Sequence, residues 1–136
     1  MKITIVTATW NSGATLRHTM RSVLSQSYPN IEHIIVDGGS TDNTMEIVHE
    51  LEPEYQGCLR YISEKDKGIY DAMNKGIAMS TGNIVGILNS DDFYTSDSVL
   101  STVVSAFEDG NIDAVYGDIH YAVSYTHLRA HETRSN

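Results

Sequence analysis

Hydrophobic and polar residues alternate along the chain in two rhythms. Residues 2–7, "KITIVT", form a short β-branched run and predict a strand, broken at once by "NSG". Leu16, Met20, Val23 and Leu24 then recur at helical spacing within residues 14–26, and Tyr28-Pro29-Asn30 ends that pattern. "IEHIIVD" at 31–37 predicts a second strand. A turn, "GGSTDN", follows with Thr41 or Asp42 placed to cap the next helix, whose face carries Met45, Val48 and Leu51. "LRYIS" at 59–63 is a third strand. Ile69, Ala72, Met73 and Ile77 stripe a third helix. "NIVGIL" at 83–88 is a fourth strand. Val99, Leu100, Val103, Val104 and Phe107 mark a fourth helix, capped by Ser96 or Asp97, and "IDAVYG" at 112–117 is a fifth strand. Strands and helices in strict alternation predict an α/β fold with a doubly wound, mostly parallel sheet of five strands and right-handed crossovers.

In such sheets ligands bind beyond the carboxyl ends of the strands. Four exits collect there: Thr7-Ala8-Thr9-Trp10-Asn11, Asp37-Gly38-Gly39-Ser40-Thr41-Asp42, Glu64-Lys65-Asp66-Lys67-Gly68 and Asn89-Ser90-Asp91-Asp92. Small residues, amides and acids dominate them. Neither a G-x-G-x-x-G fingerprint nor a G-x-x-x-x-G-K-[ST] loop is present, so a phosphate would be held by another device. Paired carboxylates with Mg²⁺ or Mn²⁺ bridging to a diphosphate would serve, since Mg²⁺ commonly takes only one or two protein carboxylates.

Composition narrows the picture. The 136 residues suit one domain, and 40% apolar content suits a packed core. The net charge of −9 argues against a nucleic-acid partner, which needs clustered cations. No apolar run approaches the roughly 18 residues of a membrane span, and "MKITIV" leading into "TATWNSG" does not read as a signal peptide. The single cysteine, Cys58, excludes an internal disulfide and a multi-cysteine zinc site. A reducing, cytoplasmic setting is expected, peripheral to the inner membrane if a longer protein docks there.

Taken alone, each candidate has an ordinary alternative. Asp91-Asp92 reads equally as a solvated turn before a helix, Asp37 as a turn residue, and Lys65, Asp66 and Lys67 as a solvated loop. Trp10 packs as readily as it stacks. His18 and His33 have no partner at metal-ligand spacing and read as structural.

The pieces in combination are more specific. "VTATWN", "QSYPNIEHIIVDGGSTDNT", "SEKDKGIYDAMNKGI" and "GNIVGILNSDD", in this order from residue 1 to about 121, resemble the inverting family 2 glycosyltransferases of the GT-A fold, nearest to bacterial members that build surface polysaccharide such as O-antigen. The resemblance implies a Rossmann-like half that binds a nucleoside-diphosphate sugar, of the UDP type, and an acceptor that is a saccharide or lipid-linked saccharide. It implies that Ala8, Thr9 and Asn11 line the nucleotide and that Asp37 accepts a hydrogen bond from the base. It places Asn74 near the donor, Ser90 and Asp91 at the ribose and diphosphate, and Asp91 and Asp92 on Mn²⁺ or Mg²⁺. The family often has Pro at the Ala8 position, Tyr at the Trp10 position and Asp at the Asn89 position. The general base, a carboxylate in this family, is expected past the fifth strand, and Asp118 is not assigned to it.

Residues 123–133, "VSYTHLRAHET", resemble the translation of the transposon-end adapter used in sequencing libraries. The expected division is therefore 1–122, an incomplete donor-binding part that lacks the base and is inactive alone, and 123–136, a non-native tail without order. Two other functions compete. A non-catalytic nucleotide-sugar-binding module would use the same residues. A Mg²⁺-dependent phosphohydrolase of the haloacid dehalogenase type would need an aspartate nucleophile after the first strand, where the chain offers Thr7-Ala8-Thr9-Trp10-Asn11.

Overall fold

A computed structural model describes residues 1–109, 120–122 and 127–129. Every alternation read up to residue 109 forms the element it predicts: β1 (Ile3–Thr9), α1 (Leu16–Leu24), β2 (Ile31–Asp37), α2 (Thr44–Leu51), a 3-10 turn at Glu52–Tyr55, β3 (Leu59–Ser63), α3 (Ile69–Met79), β4 (Ile84–Ile87) and α4 (Val99–Glu108). Among the described residues the parallel sheet has four strands in the order β3-β2-β1-β4. The expected fifth strand, 112–117, lies outside the described residues, as does Asp118. The chain divides into two compact units, residues 1–104 and 105–136. In the second, β5 (His120–Ala122) pairs antiparallel with β6 (His127–Arg129), so part of the tail expected to lack order is a strand.

Side chains alternate across the sheet and build two different covers. Even-numbered Val6, Ile34 and Val36 pack with Ala72 of α3. That approach is close enough that a Cβ on Gly76 would stand 2.3 Å from Val6 Cγ1, so only glycine lets α3 settle there. Odd-numbered positions meet α1, α2 and the 3-10 turn through Leu16, Met20, Val23, Ile47, Val48 and Leu51, all buried. His33 belongs to this face and is fully buried. Its Nε2 pairs with Thr7 Oγ1 and its Nδ1 with Tyr55 Oη, each at 2.8 Å. Burial alone pushes the imidazole down to about 3, so it is neutral. His33 is thus a satisfied core histidine, as its lack of metal-spaced partners indicated.

Glu32 is the charged residue of the opposite face and the opposite end of the sheet. It is buried and accepts from Thr4 Oγ1 at 2.9 Å and from the amide and hydroxyl of Thr81 at 3.1 and 3.0 Å, with Arg60 Nη1 at 3.3 Å. Burial opposes its ionisation, yet these bonds and Lys2 outweigh it and hold the carboxyl below its ordinary value. It ties β1, β2 and the α3–β4 connection together below the sheet.

The strand order places the topological switch point between β1 and β4. The connections from β1 run one way and the crossover through α3 returns to the other side. A crevice is expected above that junction.

Candidate functional site

Two cavities of about 500 and 510 Å³ open at the carboxyl ends of the strands and share Ala8, Ser12, Ile69 and Ser90. The first is walled by Thr9, Trp10, Gly38, Lys65, Asp66 and Ala72. The second runs to Asn11, Thr15, Asn89 and Asp91. Trp10 is 68% exposed beside the first, free to present its ring to a ligand.

The β2 exit is closed on itself. Asp37 is fully buried, and its carboxylate accepts from Thr9 Oγ1 at 2.7 Å, Ser40 Oγ at 2.5 Å, Ser63 Oγ at 2.8 Å and the amides of Gly39 and Ser40 at 3.1 and 2.9 Å. Gly39 sits at φ +89, a conformation that costs glycine nothing and folds its amide back to the carboxylate. Burial raises the carboxyl, but the bonds from Ser40, Thr9 and Ser63 win and hold it below its usual value. Where the resemblance implied a contact from a base, five protein donors surround the Asp37 oxygens, and the neighbour Gly38 is the residue on the cavity wall. Thr9, on the wall of the first cavity, spends its hydroxyl on Asp37.

Asn11 fastens the β1 exit to this turn. Its backbone is left-handed (φ 48), its Oδ1 accepts the Thr41 amide at 2.8 Å, and its own amide donates to Ser40 Oγ at 2.8 Å. The N-cap of α2 is Asn43, which makes no side-chain cap bond, rather than Thr41 or Asp42. Asp42, one residue earlier, accepts the Thr44 amide at 3.0 Å, and its other oxygen accepts the Gly13 amide at 2.9 Å. The β3 exit adds Lys65 and Asp66 to the first cavity, with Asp66 Oδ1 accepting the Gly68 amide at 2.9 Å. Lys75 pairs with Glu64 at 3.1 Å and with Asp71 at 3.5 Å on the surface of α3. Asn74 is exposed on α3 and lines neither cavity, so the structure does not bring it to the others.

The β4 exit is open. Asp92 turns back through its amide to Asn89 O at 3.0 Å, and Ser90 Oγ meets Ser12 Oγ at 2.9 Å. Asp91 is exposed on the wall of the second cavity. Asp92 is half-buried and, unlike Asp91, lines neither cavity. Its carboxyl is raised by burial and then by the Asp91 charge, with a bond from the Asn89 side chain opposing both. Two adjacent carboxylates in this electrostatic tension are suited to a divalent cation. Among the described residues no group of three or more ligating side chains forms a closed cage. The donor set therefore fits an ion that takes its remaining ligands from a substrate and water.

Ile69, the first residue of the apolar stripe of α3, is 51% exposed and walls both cavities. Ser12 and Thr15 also line the site unforeseen. A signal for Ile69 was its place in the first turn of α3, one turn ahead of the buried Ala72, two ahead of the buried Gly76, and next to the β3 exit.

The model of the family described as Glycosyl transferase family 2 matches residues 4–135. A PGL/p-HBAD biosynthesis glycosyltransferase of Mycobacterium bovis is 34% identical over 116 residues, 85% of this chain and 45% of its own. An uncharacterized glycosyltransferase of Nostoc is 31% identical over 115 residues, 85% of this chain and 35% of its own. The chain thus spans less than half the length of these relatives. Among solved structures, S. aureus TarS in complex with UDP-GlcNAc superposes with a TM-score of 0.72 at 22% identity, over 80% of this chain and 32% of that one. The mannosyltransferase PcManGT from Pyrobaculum calidifontis, in complex with GDP-Man and Mn²⁺, gives 0.71 at 25% identity over 76% and 31%. The chain belongs to glycosyl transferase family 2 and has the GT-A fold.

Proposed function

We propose that this family 2 chain binds a nucleoside-diphosphate sugar, of the UDP type, across the two joined cavities, and that the longer protein transfers the sugar with inversion to a saccharide or lipid-linked acceptor in surface-polysaccharide assembly. The observation that carries this reading is the continuity of the crevice at the β1/β4 switch point. An end with an aromatic ring and charged side chains, at Trp10, Gly38, Lys65 and Asp66, runs into an acidic end at Ser90 and Asp91.

Each end has its own chemistry. At the first, the exposed Trp10 ring offers a face for a planar base, while the backbone at Gly38 and the side chain of Asp66 offer polar edges. At the second, an anionic diphosphate beside Asp91 and Asp92 would be repelled by an already acidic protein. Those two carboxylates would hold Mn²⁺ or Mg²⁺, which when bound supplies positive charge to the departing nucleoside diphosphate. Ser90 and Ser12 present hydroxyls where the cavities join. The acceptor oxygen bonds to the anomeric carbon as the bond from that carbon to the diphosphate oxygen breaks, and the hydroxyl proton passes to a carboxylate base. That base is expected beyond residue 122, so residues 1–122 bind the donor without completing transfer. GDP-Man with Mn²⁺ on one structural relative and UDP-GlcNAc on another support a nucleotide-sugar donor and a metal.

Calorimetric titration with UDP, with and without Mn²⁺, tests the assignment. Binding that requires the metal, and falls by at least about tenfold in Asp91→Asn/Asp92→Asn, is expected. UDP binding indifferent to both Mn²⁺ and the double substitution would remove the acidic turn from the site.

A further inference from the structure

Helix α1 and the residues that flank it carry two stripes. Leu16, Met20 and Val23 are buried toward the sheet. Thr15, Thr19, Ser22 and Gln26 recur at spacings of four, three and four, also a helical period, and all of them bind the segment that follows β4. Thr15 Oγ1 donates to Ser90 O at 2.8 Å and Thr19 Oγ1 to Asp92 O at 2.6 Å. Ser22 Oγ accepts the Tyr94 amide at 3.0 Å. Gln26 Nε2 donates to Ser96 O at 2.6 Å, and its Oε1 accepts the Leu100 amide at 3.0 Å, a capping role expected of Ser96 or Asp97.

The first two bonds bracket Asp91. Thr19 Oγ1 also lies 2.9 Å from Ser90 O, but a hydroxyl has one proton. The pairing that satisfies both carbonyls is Thr15 with Ser90 and Thr19 with Asp92. Thr15 is the N-cap residue of α1, where a threonine oxygen ordinarily accepts an amide of the first turn, and it makes no such bond. Its hydroxyl serves the acidic turn instead of its own helix. Thr19 is 1% exposed, so water does not compete for its proton. Beside the turn, the His18 ring stacks on Phe93 with centroids 4.0 Å apart.

We propose that Thr15 and Thr19 are positioning residues for the acidic turn, fixing the backbone on both sides of Asp91 so that its carboxylate is held at the second cavity for a divalent cation and a diphosphate. This rests on the donor-site reading above. With its flanking carbonyls fixed, Asp91 has only side-chain torsions left to settle when an ion arrives. Outer partners of metal-holding groups commonly change metal affinity by about 10–100-fold when removed.

Thr19→Val keeps the shape and deletes the hydroxyl, whereas Thr19→Ser keeps the hydroxyl. Mn²⁺ affinity in the presence of UDP is read from the free-ion resonance, and amide hydrogen exchange at Asp91 and Asp92 from the ligand-free protein. Expected are Mn²⁺ binding about tenfold weaker and faster Asp92 exchange in Thr19→Val, with Thr19→Ser within about twofold of wild type. Thr15→Val, at the exposed start of the helix, shifts both readouts the same way and decides the matter if Thr19→Val does not fold. Wild-type exchange and affinity in the valine variants would overturn the assignment, as would a loss in Thr19→Ser equal to that in Thr19→Val. A wild-type chain that binds no Mn²⁺ with UDP present sinks the donor-site reading and this inference together. A wild-type chain that binds, with valine variants that bind equally well, sinks this inference alone.

Discussion

Aspartates end two of the four strand exits, and the structure uses them in opposite ways. Asp37 sits where β2 stops, fully buried, with five donors around two oxygens. Asp91 and Asp92 sit just past β4, one exposed and one half-buried, with each other's charge for company. The surroundings of Asp37 hold its carboxyl down, and those of Asp92 hold it up. Position at the carboxyl edge of a sheet therefore does not by itself make an acid a ligand. What separates the two is the inventory of donors: a carboxylate whose lone pairs are all taken organises a loop, and a carboxylate left short of donors is available to a cation.

The sharpest way to break this contrast is truncation. Asp37→Ala strands five donors, most of them in the closed turn, and should cost about 3–5 kcal/mol, the range for removing one side of a buried charged network. Asp91→Ala removes an exposed side chain and should change stability by no more than about 0.5 kcal/mol. Urea unfolding of the two variants compares them directly. Similar costs would mean that the acidic turn is as structural as the β2 exit.

The elements were legible because each buries a periodic face, and periodicity survives in sequence. The four exits and their order along the sheet edge followed from that. The role of Asp37 did not. Its donors come from Thr9, Gly39, Ser40 and Ser63, three different segments, and nothing local announces that Ser63, 26 residues away, turns its hydroxyl inward. Resemblance to a family assigned the base contact to Asp37, one residue from the glycine that reaches the cavity. The exposure of Ile69 was not legible for a related reason: an apolar residue one turn before the buried Ala72 looks like core until the β3 exit is known to leave it open. The polar stripe of α1 was present in the letters at 15, 19, 22 and 26, but a search for apolar recurrence passes over hydroxyls. Asn74 on α3 shows the converse, a family position that this fold leaves away from both cavities.

Acid sharpens the contrast with a smaller effect. His33 sets the background: its pKa of about 3 in the fold lies far below the ordinary 6.5, so the unfolded chain alone takes up its proton between those values. The stability it contributes is complete above pH 6.5 and is lost as pH falls, by about 2 kcal/mol between pH 7 and pH 5. Denaturant unfolding at pH 7, 6 and 5 should show that fall, and His33→Gln should flatten it. A wild-type stability that is level across this range would mean that the imidazole is protonated in the fold. Below this window the aspartates diverge. Asp37, held under its ordinary 3.8, loses its contribution as pH drops beneath that value. Asp92, held above it, works in the other direction, because protonation near its raised value relieves the repulsion from Asp91.

The smallest effect is the most discriminating. If the acidic turn is in tension without a cation, Asp92→Asn removes one of two adjacent charges and keeps the shape. Stability at pH 7 should then rise by about 0.5 kcal/mol, a modest gain because water still screens Asp91. Adding Mn²⁺ with UDP should invert the order. A ligand that binds only the folded state stabilises it by RT ln(1 + [L]/Kd), about 2.7 kcal/mol at a hundredfold excess over Kd. The wild type receives this and the variant receives less. Thermal unfolding of both proteins with and without Mn²⁺–UDP reads the crossing. No comparable crossing is expected at Asp37, where a substitution only destabilises, because that carboxylate already has all the partners it can accept. If Asp92→Asn lowers stability in the absence of metal, the turn is satisfied as it stands, and the difference between the two strand exits is one of exposure rather than of unmet charge.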